Sequence, residues 1–417
     1  MSKKRIIFFL LLISFQLCLI TKVNAQQELK IKSLKVFSGN DETSLPVLEF
    51  SQKAEGQLRV IFDVQSVFEP NLNLVFRFCD KNWQPVRSIF FSNFGQNTAY
   101  NLTFDKLPTT IEDAKYHFRG TFPDKRGQVS FPFSGKWMLF ITDFQDTSKV
   151  YATARFIVVR DPIDMTLSIK NESLEDKSYF PIDLSKIYNL TDSFTLPEEF
   201  YSTNVSHVEI IENHKIDFPY VVDRSGNNQN RFYYWDGSRN FSFSTKEIRP
   251  GNEYRQVDLR NSNIYSSKNV NAHFEGVEVS RFFMQGKRDL NGGSILTRYR
   301  DEYANYLNVT FRLRAPIGFG KHVYIVGAFT DWKVLPENEL TNNDDLYSIT
   351  INMKRGIYDY QYVTGETEGN TVKNINWYEL EGTDWGTVND YYVFLFYSDP
   401  DKGGYDRIIG YQKTTSK

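Results

Sequence analysis

The run HVYIVGAFTDWKVLPENELTNNDDLYSITINMKRGIYDYQYV, His322 to Val363, decides the fold class. It opens on an apolar strand, His322–Val326, that breaks at Gly327. Phe329-Thr330-Asp331-Trp332 follow as a turn signal with two aromatics to pack beneath it. After a polar loop, Tyr347, Ile349, Ile351 and Met353 alternate with polar residues, the period of a half-buried strand. Lys354-Arg355-Gly356 predict a hairpin turn, and Tyr358, Tyr360 and Tyr362 then share one face of a return strand.

The same period recurs outward from this run. Leu58, Val60, Phe62 and Val64 make one strand, and Leu72, Leu74, Phe76 and Phe78 the next, after a turn at Glu69-Pro70-Asn71. Trp137, Leu139 and Ile141 form another, Tyr151–Val159 closes the set, and Asp161-Pro162 punctuates it. Spans of about 8–12 residues between turn signals, with no long helical period, predict sandwiches rather than βαβ units. The fold class is all-β. A polar, Asn-rich middle follows, with a loop at Asn227–Asn230 and strands at Arg231–Trp235, Asn240–Ser244, Glu253–Leu259 and His273–Phe283. The expected division is a first domain over 26–161, a second over 162–305 and a third over 306–417. His322–Val363 resembles the early-set branch of immunoglobulin-like sandwiches, which implies tandem immunoglobulin-like domains. Glycogen-binding modules share that shape, and the resemblance implies a sugar-stacking tryptophan at Trp332. Here Gln361 stands where those modules carry a lysine, and the next tryptophan, Trp377, comes late, so half the platform is missing and a buried Trp332 closing the sandwich end is the favoured expectation.

Lys3-Lys4-Arg5, the apolar run from Ile6 to Leu12 that continues loosely to Ile20, and Val23-Asn24-Ala25 predict a secretory leader over 1–25, cut after Ala25. No later segment has the ~20 apolar residues of a spanning helix. The unbroken apolar stretch Tyr391–Tyr397 suits burial on both faces and argues against a transmembrane barrel. A net charge of −2, with both signs interspersed, gives nucleic acid and anionic membrane nothing to hold. After leader removal Cys79 alone remains, so no intrachain disulfide can form.

A search for chemistry yields no catalytic site, metal or cofactor. The five histidines, His117, His207, His214, His273 and His322, form no ligand pair. Asp399–Asp406 is a poor calcium loop, because Gly403 occupies a ligand position and Gly410 replaces the closing Glu. It predicts a hairpin turn. Glu379, Glu381 and Asp384 could be imagined as a glycosidase pair, but acidic residues near a turn are ordinarily solvated.

Several stretches, in order, resemble the type IX secretion system plug proteins of Bacteroidota. They are Cys79-Asp80-Lys81-Asn82-Trp83, Arg155–Val159, Gly251–Arg260 (with Asn252, Glu253, Arg255, Asp258 and Arg260), Tyr324–Trp332, Asn389–Tyr391 and Tyr405–Gly410 (with Tyr405, Asp406 and Gly410). The loop Glu381–Val388 departs from that pattern. The resemblance implies a periplasmic, non-enzymatic protein without cofactor, small-molecule substrate or nucleic-acid partner. Such a protein docks on the large outer-membrane translocon barrel and closes its periplasmic mouth. The motif residues themselves read as structural. Blocking a wide pore needs a large, rigid interface, and interfaces favour Tyr, Phe, Trp and Arg. Candidate contacts are Tyr233, Tyr234 and Trp235 in Arg231–Trp235, and Arg298 and Tyr299 in Asn291–Tyr303. The competing expectation is that Arg231–Trp235 is a buried strand. The alternative function is a secreted glycan binder that would expose Trp332 and Trp377 on one flat face.

Overall fold

The computed structural model describes residues 29–416, less 53, 89, 92–96, 174–185, 225–229, 275, 302–303 and 402–403. The expected leader 1–25 lies outside them, as do 227–229 of the Asn-rich loop, Tyr303 and Gly403. The chain is all-β, and among the described residues six sheets face in pairs around three principal cores.

In the first sandwich a four-stranded sheet runs Lys30–Ser38, Leu58–Gln65, Tyr116–Phe122, Asp105–Lys106. It faces a six-stranded sheet in the order Ala54–Glu55, Val47–Ser51, Val150–Arg160, Gly135–Asp143, Leu72–Cys79, Thr98–Ala99. The alternating residues read from the sequence all point inward: Val60, Phe62, Phe76, Phe78, Trp137 and Leu139 are buried together. Aromatic rings fill the space edge to face, Phe76 against Phe156 and Phe78 against Trp137, a packing worth about 0.5–1.5 kcal/mol per pair beyond burial.

The second sandwich corrects the expected division. One sheet runs Thr166–Ser173, Lys186–Thr195, Asn240–Ile248, Arg231–Trp235. The other runs Tyr220–Asp223, Val205–Glu212, Asp390–Asp399, Tyr405–Thr415. The two last strands of the chain, placed by sequence order in the 306–417 unit, belong here instead: Asp390–Asp399 pairs with Val205–Glu212, and Tyr405–Thr415 pairs with Asp390–Asp399. The apolar run explains this. Tyr391, Val393, Leu395 and Tyr397 face the second core. Tyr392, Phe394 and Phe396 face Val47, Ile157 and Val159 of the first sandwich. One strand therefore serves as core and as inter-sandwich joint.

Asp192 lies inside this core, 0% exposed, and among the described residues neither of its oxygens meets a donor at hydrogen-bond geometry. Burial pushes its carboxyl up to about 7, the nearby Ser193 N–H offsetting part of that effect. A folded pKa above the unfolded value contributes stability that is present in acid and lost as pH rises through about 7. Asp192→Asn should therefore match the parent in stability near pH 4. It should exceed the parent by on the order of 4 kcal/mol above pH 8, at about 1.4 kcal/mol per pKa unit. Denaturant melts across that range check this, and a pH-independent difference would contradict it.

The third sandwich is inserted between Ile248 and Asp390. Its central strand, Gly356–Glu368, pairs with Arg255–Asp258, Ser294–Leu296, Val323–Gly327 and Thr371–Asn376. The facing sheet runs Asn269–Asn271, Tyr306–Arg314, Leu346–Lys354, Thr341–Asn343, with Glu278–Val279 also on Tyr306–Arg314. Lys354–Gly356 is thus a corner between sheets and not the expected hairpin. Lys354 is drawn to Asp63 at 2.7 Å, Arg355 donates to the carbonyls of Leu259 and Tyr265, and a Cβ on Gly356 would strike the Ile295 carbonyl. Of the expected strand His273–Phe283, only Glu278–Val279 is strand among the described residues.

The sandwiches do not stand in series. Besides the first–second joint, Leu107, Ile111 and Ala114 of the first pack on Ala304 and Tyr306 of the third. Phe218 of the second packs among Tyr254, Trp332 and their neighbours. Arg155 ties all three, donating to Asp217 in the second and to Asp331 in the third at 3.1 Å.

Candidate docking surface

The motif Gly251–Arg260 fastens a loop. Asn252 donates to the Met284 carbonyl at 2.7 Å and accepts from the Gly286 N–H at 2.8 Å. The carboxylate of Glu253 accepts from the N–H groups of Val388 and Asp289, and its carbonyl accepts from Arg281. Arg255 is buried and forks onto Glu381 through Nε at 2.8 and 3.1 Å. It reaches Glu278 at 2.9 Å and the Val279 carbonyl at 2.8 Å. Tyr360 and Tyr362 donate to Glu278, and Arg281 adds a second cation to Glu381. Burial alone would raise the Glu278 carboxyl, but the His273 hydrogen bond and the Arg255 charge outweigh it and hold it at about 2. Glu381 is likewise held low against its burial, by Arg255 and Arg281.

This ion cluster roots a loop whose apolar side chains point outward. Phe274 is 80% exposed and Phe283 79%, and Val277, Val279 and Met284 are exposed between and beside them. Ser280 and Arg281 both bond the Leu380 carbonyl, so the backbone beneath the exposed side chains is anchored. Gly382 (φ 72°) allows the close approach, because a Cβ there would strike the Phe282 carbonyl. Sequence reading missed this surface. Its signal was the irregular apolar spacing of Phe274, Val277, Val279 and Phe282-Phe283-Met284, which matches neither period. Apolar side chains exposed together on an anchored backbone make this loop a candidate protein contact.

The other motifs meet at the first–second joint. Cys79 is buried, and burial pushes its thiol up to about 12, an inert state. Asp80 caps the turn by accepting from the N–H groups of Asn82 and Gln84. That turn sets Trp83, at φ 63°, under Lys136 and Arg155. Asp406 accepts from the Lys81 N–H at 2.9 Å, and Tyr405 packs on Phe78 and Phe91 of the first core. Gly410 leaves room for Met165. Buried Lys136 completes the joint, donating to the Lys81 carbonyl and to Glu209. The side chains of Asp258 and Arg260 pair with each other at the surface.

Residues 31–160 match the family described as "Type 9 secretion system plug protein 1st domain". That match supports the plug family. The span contains Cys79–Trp83 and Arg155–Val159, whereas the Gly251–Arg260 and Tyr405–Gly410 motifs lie beyond it. A crystal structure of a hypothetical protein from Parabacteroides merdae superposes with a TM-score of 0.73 at 19% identity, covering 93% of this chain and 97% of that one. The likeness shows a shared fold. A bacterial ice-binding adhesin aligned over 94% of this chain and 96% of that one at 10% identity has a TM-score of 0.15 and carries no argument. No curated protein matches.

With the plug match in hand, the remaining candidates sort by position. Phe232 and Tyr234 face outward from the edge strand Arg231–Trp235, while Tyr233 and Trp235 turn onto the second core. Of the three residues named from the sequence, Tyr234 alone is therefore available to a partner. Arg298 and Tyr299 lie over the first sandwich, Tyr299 stacked on His117 at 4.1 Å. Trp332 is no sugar platform. It is 2% exposed, packs at a tilt against Tyr254 with ring centroids 4.3 Å apart and donates to the Gly292 carbonyl at 2.8 Å. Trp377 is half-buried under Lys215 and against Phe218. Glu379, Glu381 and Asp384 are occupied by Lys321, Arg255 and Lys186. Asp399 accepts from Asp401 and Arg407 at the turn between its strand and Tyr405–Thr415.

Proposed function

We propose that this chain is a gating subunit that docks, from the periplasm, on the outer-membrane translocon of the type 9 secretion system and closes its periplasmic opening. The plug-family match over 31–160 carries the reading. Three sandwiches locked pairwise by apolar joints supply the width and rigidity that a stopper needs. The anchored loop Phe274–Met284 supplies an apolar surface at which protein contact energy concentrates. Its role is binding, not catalysis, and the carboxylates at its base serve in ion pairs. Among the described residues no helix is long and apolar enough to cross a membrane, so in this reading the chain reaches the membrane through its partner. The burial of Trp332 removes the platform on which the glycan reading depended.

Phe274→Ser with Phe283→Ser should leave the melting temperature within about 2 °C of the parent, since exposed side chains add little to folding. The same pair should cut recovery of the translocon protein about tenfold or more, the loss of one or two contact anchors. Tyr234→Ala should act in the same direction more weakly, whereas Tyr233→Ala should destabilise the second sandwich. Unchanged recovery with the double variant would remove this loop from the interface.

A further inference from the structure

The outer face of the second sandwich carries an arrangement that folding alone does not call for. Phe194, Phe241 and Phe243 fill the core from Lys186–Thr195 and Asn240–Ile248, so the residues between and beside them turn outward. On Arg231–Trp235, Tyr233 and Trp235 pack on the core and leave Phe232 and Tyr234 outside, 45% and 64% exposed. Register then sets the outward side chains in rows across the four strands. One row runs Thr166, Ser193, Ser242, Tyr234, and the next Ser168, Thr191, Ser244, Phe232. Neighbours within a row are about 5 Å apart. Neither row holds a charged side chain, and each ends on an aromatic ring.

Solvated sheet faces ordinarily intersperse charges of both signs. Here the hydroxyls instead hold one another. Thr191 and Ser244 share a hydrogen bond at 2.9 Å, Ser193 donates to Ser242 at 3.3 Å, and Thr195 donates to Asn240 at 2.9 Å. Each Ser or Thr hydroxyl has one proton and two lone pairs, so these bonds orient the groups and leave capacity for a ligand. The groups are open to one: Ser193 and Ser242 are half-buried, and Thr166, Thr195 and Asn240 are exposed. With Pro162–Asp164 and Pro197 they line a groove of about 790 Å³ that has Tyr234 in its wall. Asp164 is the one ionised group among the described lining residues, so the groove offers an anion no cation. An apolar segment laid there would strand the hydroxyls. A pyranose chain suits the lining, since its hydroxyls both donate and accept. The C–H groups of its ring face carry the partial positive charge that the face of an aromatic ring attracts.

We propose that this groove binds a neutral oligosaccharide, with its hydroxyls bonded to Ser193, Thr195, Asn240 and Ser242, a further hydroxyl donating to Asp164, and one sugar ring stacked on Tyr234. The groove lies on a different sandwich from the buried Trp332, and its occupancy does not depend on translocon docking.

Saturation-transfer difference NMR on the purified full chain tests this, with maltohexaose, cellohexaose, chitohexaose and mannohexaose as separate probes. At least one should bind with a Kd of about 1 mM or tighter. Tyr234→Ala, and separately Ser193→Ala with Ser242→Ala, should each weaken that binding about tenfold with melting unchanged, because the altered side chains lie on the surface. Tyr234→Phe keeps the ring and should bind as the parent does, which separates stacking from any loss of fold. The purified chain is free of translocon, so this result and the docking result are read independently. No binding by any of the four sugars up to about 10 mM, or binding undiminished in both alanine variants, would overturn the proposal. Should no sugar bind while Ser193→Lys with Ser242→Lys lowers recovery of the translocon protein, the face is a protein contact and the proposal fails.

Discussion

Arg255→Ala should destabilise the third sandwich by about 3–5 kcal/mol, the cost of leaving buried carboxylates without their cation. Arg255 supplies two hydrogen bonds to Glu381, one to Glu278 and one to the Val279 carbonyl, and its guanidinium lies 5.0 Å from the centre of the Tyr362 ring. With Ala there, Glu278 keeps Tyr360 and Tyr362, and Glu381 keeps Arg281. Arg255→Lys retains a charge but not the planar fork, and should fall between parent and Ala. The loop Phe274–Met284 loses its footing in both variants, so proteolysis within 274–284 should accelerate before global unfolding. Denaturant melts followed by tryptophan fluorescence give the first quantity and limited proteolysis the second. A loss under about 1 kcal/mol would mean the cluster contributes little beyond hydrophobic isosteres.

Asp63→Ala should cost a comparable ~3–5 kcal/mol, at the joint between the first and third sandwiches. Its carboxylate is 1% exposed and accepts from His117 at 2.6 Å, Tyr306 at 2.8 Å and Lys354 at 2.7 Å. Burial would raise this carboxyl, but the His117 hydrogen bond and Lys354 prevail and hold it below the usual range. A depressed folded pKa contributes stability that is present above about pH 4 and lost as pH falls through the folded value. The parent should therefore weaken in acid more steeply than Asp63→Ala, and the two stability curves should converge once the pH falls below the folded value. Asp63→Asn keeps acceptors for Tyr306 but strands the Lys354 ammonium, so most of the loss should persist. Curves that run parallel into acid would contradict this assignment.

Much of the fold was legible because alternation is a direct image of burial. Val60, Phe76 and Leu139 point inward as their period predicts. The run Tyr391–Tyr397 correctly announced a strand buried on both faces, yet nothing local could say that its partner is Val205–Glu212, across an inserted sandwich. Register belongs to neighbours in space. The Lys354–Gly356 corner failed for a related reason: the same residues suit a hairpin and a step between sheets, and Asp63, distant in sequence, decides between them. The motif at 251–260 was visible as a motif, but its meaning lay in the loop that it holds. That loop resembles a strand in its apolar content but not in its spacing. Trp332 shows the converse, since a tryptophan at the position of a sugar platform is here a core residue under Tyr254.

Closure of a translocon by this protein is tested most directly by a mild-detergent pull-down of a C-terminally tagged copy from the native outer membrane, with the co-purifying proteins identified by mass. The account predicts one very large barrel protein recovered at near equal amount, and lost from the Phe274→Ser, Phe283→Ser variant. Recovery of this chain alone, with no partner even after crosslinking, would contradict it.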